Sequence, residues 1–177
     1  MWYLDLNDKD VISMPEGLLG FEDLRKFVIV DPGDDTFIQW FQSLDKPEIA
    51  FPILEPKIFR PDYVVKLSAS ELRALTLESV NTRTALVYSI ITIPSDPKQM
   101  TANLKAPLVV NPKQQLGRQV ILQENEYSVS YAMYKELIAL IMAANKGNLN
   151  SEGTEGSPVA AAVSLESVSA DTTVLAL

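Results

Sequence analysis

The sequence predicts a mainly β fold: an antiparallel β-barrel-like domain with one short helix, followed by a C-terminal helix and a flexible tail. Three observations carry this. Short runs rich in β-branched and aromatic residues recur at near-regular spacing. Gly and Pro punctuate the gaps, as at Pro32-Gly33 and Pro94. Long helices do not alternate with strands, so a parallel α/β sheet is not expected. The divisions that follow are residues 1–130 for the β domain, 131–146 for the helix and 147–177 for an acidic, low-complexity tail read as disordered.

Taken in chain order, residues 1–6 alternate in polarity and continue into 11–13. The stretch MPEGLLGF (14–21) then interrupts with Pro15, Gly17 and Gly20. Its Leu18, Leu19 and Phe21 suit a plug folded back over one end of a barrel. Residues 26–31 (KFVIVD), 37–43 (FIQWFQS) and 49–54 (IAFPIL) read as strands, with Pro52 marking an edge or bulge because proline cannot donate to a ladder. Residues 63–67 (YVVKL) are a further strand candidate. In 68–76 (SASELRALT), Ser68 and Glu71 have capping-box spacing ahead of Leu72 and Leu75, which predicts a helix. Residues 84–93 form the strongest strand pattern, and SDPKQMTA after it is turn-like with room for one helical turn. Residues 107–110 and 118–122 read as a strand pair, followed by a short strand near 127–130. Residues 131–145 are good helix formers, with Tyr134, Leu137, Ile138 and Ile141 on one face.

Composition limits the chemistry. The 177 residues fit one domain, 47% are hydrophobic, and no run has the ~18 apolar residues of a membrane helix. No basic region followed by an apolar stretch opens the chain, so a cytoplasmic location is expected. There is no Cys and no His. That removes thiolate and imidazole nucleophile chemistry and most transition-metal sites, leaving carboxylate pairs and oxygen-ligand cation sites. Asp34-Asp35 and Asp62 are the carboxylates that look placed; a carboxylate-dependent hydrolase would use Asp62 with Glu55, and no phosphate loop or metal-ligand spacing accompanies them. No cofactor is expected.

Net charge is −8, and residues 1–35 hold nine acids, including Asp34 and Asp35, against three bases. Such a surface disfavours direct nucleic-acid binding and suits a basic partner or simple solvation. One stretch stands out as a recognition candidate, and a second reads by local chemistry as a turn that launches a strand. The segment FPILEPKIFRPDYVVKL (51–67) places Pro52, Pro56 and Pro61 close together, a pattern that fixes loop geometry and presents Phe59, Asp62 and Tyr63. In TANLKAPLVVN (101–111), Thr101 and Asn103 suit a turn and Pro107 starts a strand.

Together, MPEGLLGFEDLRKFVIVD (14–31), FQSLDKPEIAFPILEP (41–56), PDYVVKL (61–67), ITIPSDPKQMTANLKAPLVVNP (91–112) and GRQVIL (117–122) resemble the FliW family of flagellar assembly factors. TANLKAPLVVN is the most specific of these. Met14, Leu19 and Lys105 depart from the usual pattern without removing a turn glycine or Pro107, and the chain after Tyr131 extends past the family's typical end. The resemblance implies a non-enzymatic cytoplasmic protein with a β-barrel-like fold and two partners. One is CsrA, a basic RNA-binding translational regulator that such proteins antagonise allosterically; the other is flagellin, which competes for them. Neither a membrane nor a nucleic acid is an expected partner. On that reading Phe59, Asp62, Tyr63, Asn103 and Lys105 are the candidate partner-binding residues. A flagellin-specific chaperone without a translational role is the alternative.

Overall fold

The computed structural model describes residues 8–33, 37–81 and 83–148. Among these residues are nine strands: β1 (Ile12–Ser13), β2 (Lys26–Val30), β3 (Gln39–Ser43), β4 (Ala50–Leu54), β5 (Leu86–Thr92), β6 (Thr101–Ala102), β7 (Leu108–Asn111), β8 (Leu116–Gln119) and β9 (Tyr131–Ala132). Helices α1 (Ala69–Ala74) and α2 (Tyr134–Asn148) join them, with short 3-10 turns at Asp8–Asp10, Pro56–Ile58 and Pro97–Gln99. Seven strands close a ring in the order β4-β3-β2-β1-β8-β7-β5, and β5 returns to pair with β4. Strands β6 and β9 extend the far end of β5 as a short flap.

The barrel expected from the sequence is therefore present, with one difference. Strand β1 runs parallel to β8, joined at Ser13↔Leu116, so the barrel is mixed rather than wholly antiparallel. These strands lie a hundred residues apart, and no local turn signal reports such a closure.

Period-two alternation explains the interior. Phe27, Phe41, Phe51, Ile53, Leu108 and Val110 all point inward and are nearly or fully buried. Phe27 stacks on Phe41 at 4.3 Å between ring centres. Gly117, opposite Val110, must be small, since a Cβ there would lie 2.5 Å from the Met14 sulfur. The plug expected from MPEGLLGF forms in part. Leu18 is buried and Phe21 meets Phe51 edge-on at 5.1 Å, whereas Leu19 is 45% exposed. Gly17 sits at φ 68°, a conformation that strains L side chains, and so lets the loop fold back.

A second core covers the outside of the same wall. Outward residues Leu54, Ile91 and Val109 meet Leu75, Tyr63, Leu104, Met133 and Leu137. Helix α1 begins with the predicted capping box: Ser68 Oγ accepts from Glu71 N–H, and Glu71 returns a carboxylate to the Ser68 N–H. It ends with Thr76 at φ 54°, its N–H donating to Arg73 C=O while Leu77 N–H donates to Leu72 C=O. Buried Asn111 ties this helix end to β7. Its Nδ2 donates to the carbonyls of Leu75 (2.9 Å) and Thr76 (3.2 Å), and its Oδ1 accepts from the N–H groups of Lys113 and Gln114. Helix α2 uses the predicted face, with Leu137 and Ile141 buried and Tyr134 and Ile138 half-buried.

Four sequence expectations shift. Residues 63–67 are not a strand: Tyr63 turns inward and the Val64 N–H donates to the Tyr127 hydroxyl instead of a ladder partner. The last short strand is Tyr131–Ala132, not 127–130, because it pairs with β6. Accordingly α2 starts at Tyr134 rather than 131. Pro52 is not on a free edge strand, since β4 pairs with both β3 and β5; at Pro52 itself only the β3 side is paired, ahead of Ile53↔Ile90 and Leu54↔Ser89, so its missing N–H costs no ladder bond. The expectations for residues 1–6, Asp34-Asp35 and most of the tail (149–177) fall outside the described residues.

Candidate functional site

The proline-rich loop and the TANLKAP turn, where the candidate contact residues lie, meet on the outer wall. Pro56 opens a 3-10 turn whose carbonyl accepts from the N–H groups of both Phe59 and Arg60, and Tyr63 N–H closes a further turn on Arg60 C=O. This winding carries Tyr63 inward until its hydroxyl donates to Leu104 C=O at 2.7 Å. The bond pins the proline-rich loop to the centre of TANLKAP. Burial, with the neighbouring Tyr127 acting in the same sense, pushes the Tyr63 hydroxyl well above its ordinary titration range.

Tyr127 lies 4.7 Å from Tyr63 between ring centres, and Phe59 lies 6.0 Å from Tyr131. The Arg60 guanidinium stands over both Tyr127 (5.1 Å) and Tyr131 (5.5 Å) and pairs with Asp62 at 3.4 Å. Arg60 is mostly covered, with 19% of its side chain exposed, so these ring contacts contribute about 0.5–2 kcal/mol between the exposed and desolvated limits. Sequence reading missed Arg60. Its rings come from 67 and 71 residues downstream, and the one local signal was its place between Phe59 and Pro61.

The five expected contact residues thus share one locality but not one role. Phe59 (4% exposed) and Tyr63 (1%) are core, against the expectation that the loop presents them. Asp62 reaches solvent, with 77% of its side chain exposed. Asn103 is half-buried; its N–H donates to Ile90 C=O and its Oδ1 accepts from Ala106 N–H at 2.9 Å, which forms the turn before β7. Lys105 is half-buried, and its amine donates to Glu124 C=O at 2.7 Å. Exposed apolar side chains also lie beside Lys105. Leu122 N–H donates to its carbonyl and its own N–H donates to Ser128 C=O, which sets the exposed Ile121 (52%) and Val129 (60%) nearby.

The acidic N-terminal stretch is a solvent face among the described residues: Asp8, Asp10, Glu16, Glu22, Asp23 and Asp31 are all exposed. Glu16 pairs with Arg118 at 2.7 Å. The Glu22 carboxylate accepts from Gly20 N–H, a bond that lowers its pKa. Asp45 accepts from the N–H groups of Arg25 and Lys26 and is lowered for the same reason. Asp62 pairs with Arg60 rather than with Glu55, and among the described residues no group of three or more acidic side chains is placed to hold a metal ion. What the site offers is a surface: a proline-rich loop pinned by Tyr63, one exposed carboxylate and two exposed apolar side chains near Lys105.

Comparison with known proteins gives a consistent answer. Residues 3–133 match the family described as FliW protein. The flagellar assembly factor FliW of Bdellovibrio bacteriovorus is 45% identical over 134 residues, covering 76% of this chain and 75% of that protein. Its counterpart in Thermoanaerobacter pseudethanolicus is 38% identical over 135 residues, covering 76% and 89%. A crystal structure of the flagellar assembly factor FliW superposes with a TM-score of 0.67 at 28% identity, over 73% of this chain and 89% of the other. The chain belongs to the FliW family of non-enzymatic flagellar assembly factors.

Proposed function

We propose that this protein binds the translational regulator CsrA, antagonises it allosterically and so relieves repression of flagellin synthesis, and that flagellin sequesters it in turn. The observation that carries the reading is the family match over residues 3–133, which spans both the proline-rich loop and the TANLKAP turn. The surface supports it. An acidic face of exposed carboxylates complements a basic protein and accelerates encounter with it. The partner contacts are assigned to Asp62, Asn103 and Lys105, with Phe59 and Tyr63 shaping the loop from beneath. Both partners place the protein in the cytoplasm, and among the described residues no helix is long and apolar enough to cross a membrane.

Calorimetry with purified CsrA and purified flagellin tests this. Each binds, and flagellin displaces CsrA from the complex. A protein that binds flagellin but leaves CsrA untouched is a chaperone without a translational role, and the regulatory reading is then wrong. Asp62→Lys and Lys105→Glu, both at solvent-reached positions, weaken one or both affinities. Wild-type affinities in both variants remove the assignment of the contacts.

A further inference from the structure

We infer that the N-terminal half of β5 is a second binding site, one that takes an extended peptide segment of a partner by strand addition. Three features of the wall point to it. The first is an interrupted ladder. Strand β4 pairs with β5 only at Ile53↔Ile90 and Leu54↔Ser89, and the next hydrogen-bonding position would set Pro56 opposite Val87. Proline has no N–H to offer, and the Pro56 carbonyl already accepts from Phe59 and Arg60, so the chain leaves the sheet there.

The second is the direction of the Val87 backbone. Val120 N–H donates to Pro107 C=O, so alternation turns the polar groups of Leu108 and Val110 toward β5, where they meet Tyr88 and Leu86. Asn103 N–H donates to Ile90 C=O on that same side. Val87, one residue out of step with Leu86, Tyr88 and Ile90, therefore points its N–H and C=O to the side that β4 has vacated.

The third is the space beside it. A cavity of about 280 Å³ lies along this edge, with Val64, Val65, Val80 and Val87 on its walls and Glu55 and Lys57 at its rim. Val64 is 51% exposed. The volume is below the roughly 300–1,000 Å³ of pockets for drug-sized ligands and suits small aliphatic side chains. The rim charges balance, so recognition comes from main-chain pairing and apolar fit rather than net charge. This separates the site from the acidic face that suits a basic partner. An extended strand with small aliphatic residues facing the cavity satisfies Val87 and fills the space, the mode in which main-chain bonds give affinity and pockets give specificity.

The test is nuclear magnetic resonance on the full chain with the synthetic peptide acetyl-SVAVS-amide. With two main-chain bonds available, a dissociation constant on the order of 1 mM is expected. Saturating peptide slows Val87 amide exchange at least tenfold and shifts the resonances of Val64 and Val80. Binding changes less than about twofold as ionic strength rises past physiological, because no charge pair carries it. The same peptide N-methylated at its central alanine fails to bind, as does the parent peptide with the surface variant Val64→Asp. Equal binding by the N-methylated peptide, or no perturbation at Val87, overturns the proposal. So does a Val87 amide already protected in the peptide-free chain, which means a segment of this chain or a second copy covers the edge.

Discussion

Tyr63→Phe isolates the bond that joins the proline-rich loop to the TANLKAP turn. The change removes one oxygen and keeps the ring against Tyr127, so packing is nearly conserved. What is lost is a 2.7 Å hydrogen bond to Leu104 C=O in a place where both residues are at most 1% exposed. The net worth of such a bond is about 0.5–1.5 kcal/mol, and a carbonyl left buried without a donor costs about 1–3 kcal/mol. A destabilisation of roughly 1–3 kcal/mol follows, which at a urea m-value of ~2 kcal/mol/M lowers the unfolding midpoint by ~0.5–1.5 M with m unchanged. The pH dependence adds a second signature with a definite sign. The hydroxyl titrates higher when folded than its ordinary 10.0, so the neutral form is favoured in the native state. Its stabilisation is complete below pH 10 and declines as pH rises through and beyond that value, by up to about 1.4 kcal/mol per pH unit. Tyr63→Phe therefore flattens the alkaline side of the stability profile. A midpoint within ~0.1 M of wild type, or an unaltered alkaline slope, refutes the account of Tyr63 as the buried pin.

Four further outcomes follow from the same geometry. Gly17→Ala places a Cβ 2.6 Å from Phe21 C=O at φ 68°, so the plug must move, and a loss exceeding ~2 kcal/mol is expected in thermal unfolding. Asn111→Ala leaves the Leu75 and Thr76 carbonyls and the Lys113 and Gln114 N–H groups without their partner; a loss of ~2–4 kcal/mol by urea titration is expected. Thr76→Gly relieves a β-branched residue at φ 54° and raises stability by about 0.5–1 kcal/mol, readable as a higher melting temperature. Raising salt from low to physiological slows association with CsrA at least several-fold in stopped flow, if the exposed acids steer encounter; a salt-independent rate contradicts steering.

Local chemistry was enough for much of the fold. Alternation marked the strands because every second side chain faces the barrel interior, as Phe27 and Ile29 of β2 and Phe41 of β3 do. The Ser68 and Glu71 spacing found α1 because capping acts within a single turn. The TANLKAP turn was legible for the same reason, since Asn103 Oδ1 reaches only to Ala106. These are interactions whose partners lie within a few residues, and residue order encodes them directly.

Where partners lie farther off, residue order is silent. Nothing near Ser13 announces that it will run parallel to Leu116, because a closure across a hundred residues depends on the shape of the whole wall. Residues 63–67 have the composition of a strand, yet Tyr63 gains more by burying its ring and bonding Leu104 than by keeping to a ladder, and that carbonyl comes from 41 residues away. The same folding turned two expected contacts, Phe59 and Tyr63, into supports and left Asp62 outside. It also assembled the Arg60 cation over two distant tyrosines. The sequence carries the chemistry of each side chain, but whether a side chain faces water is a property of the packed wall, set by which surfaces must leave solvent together.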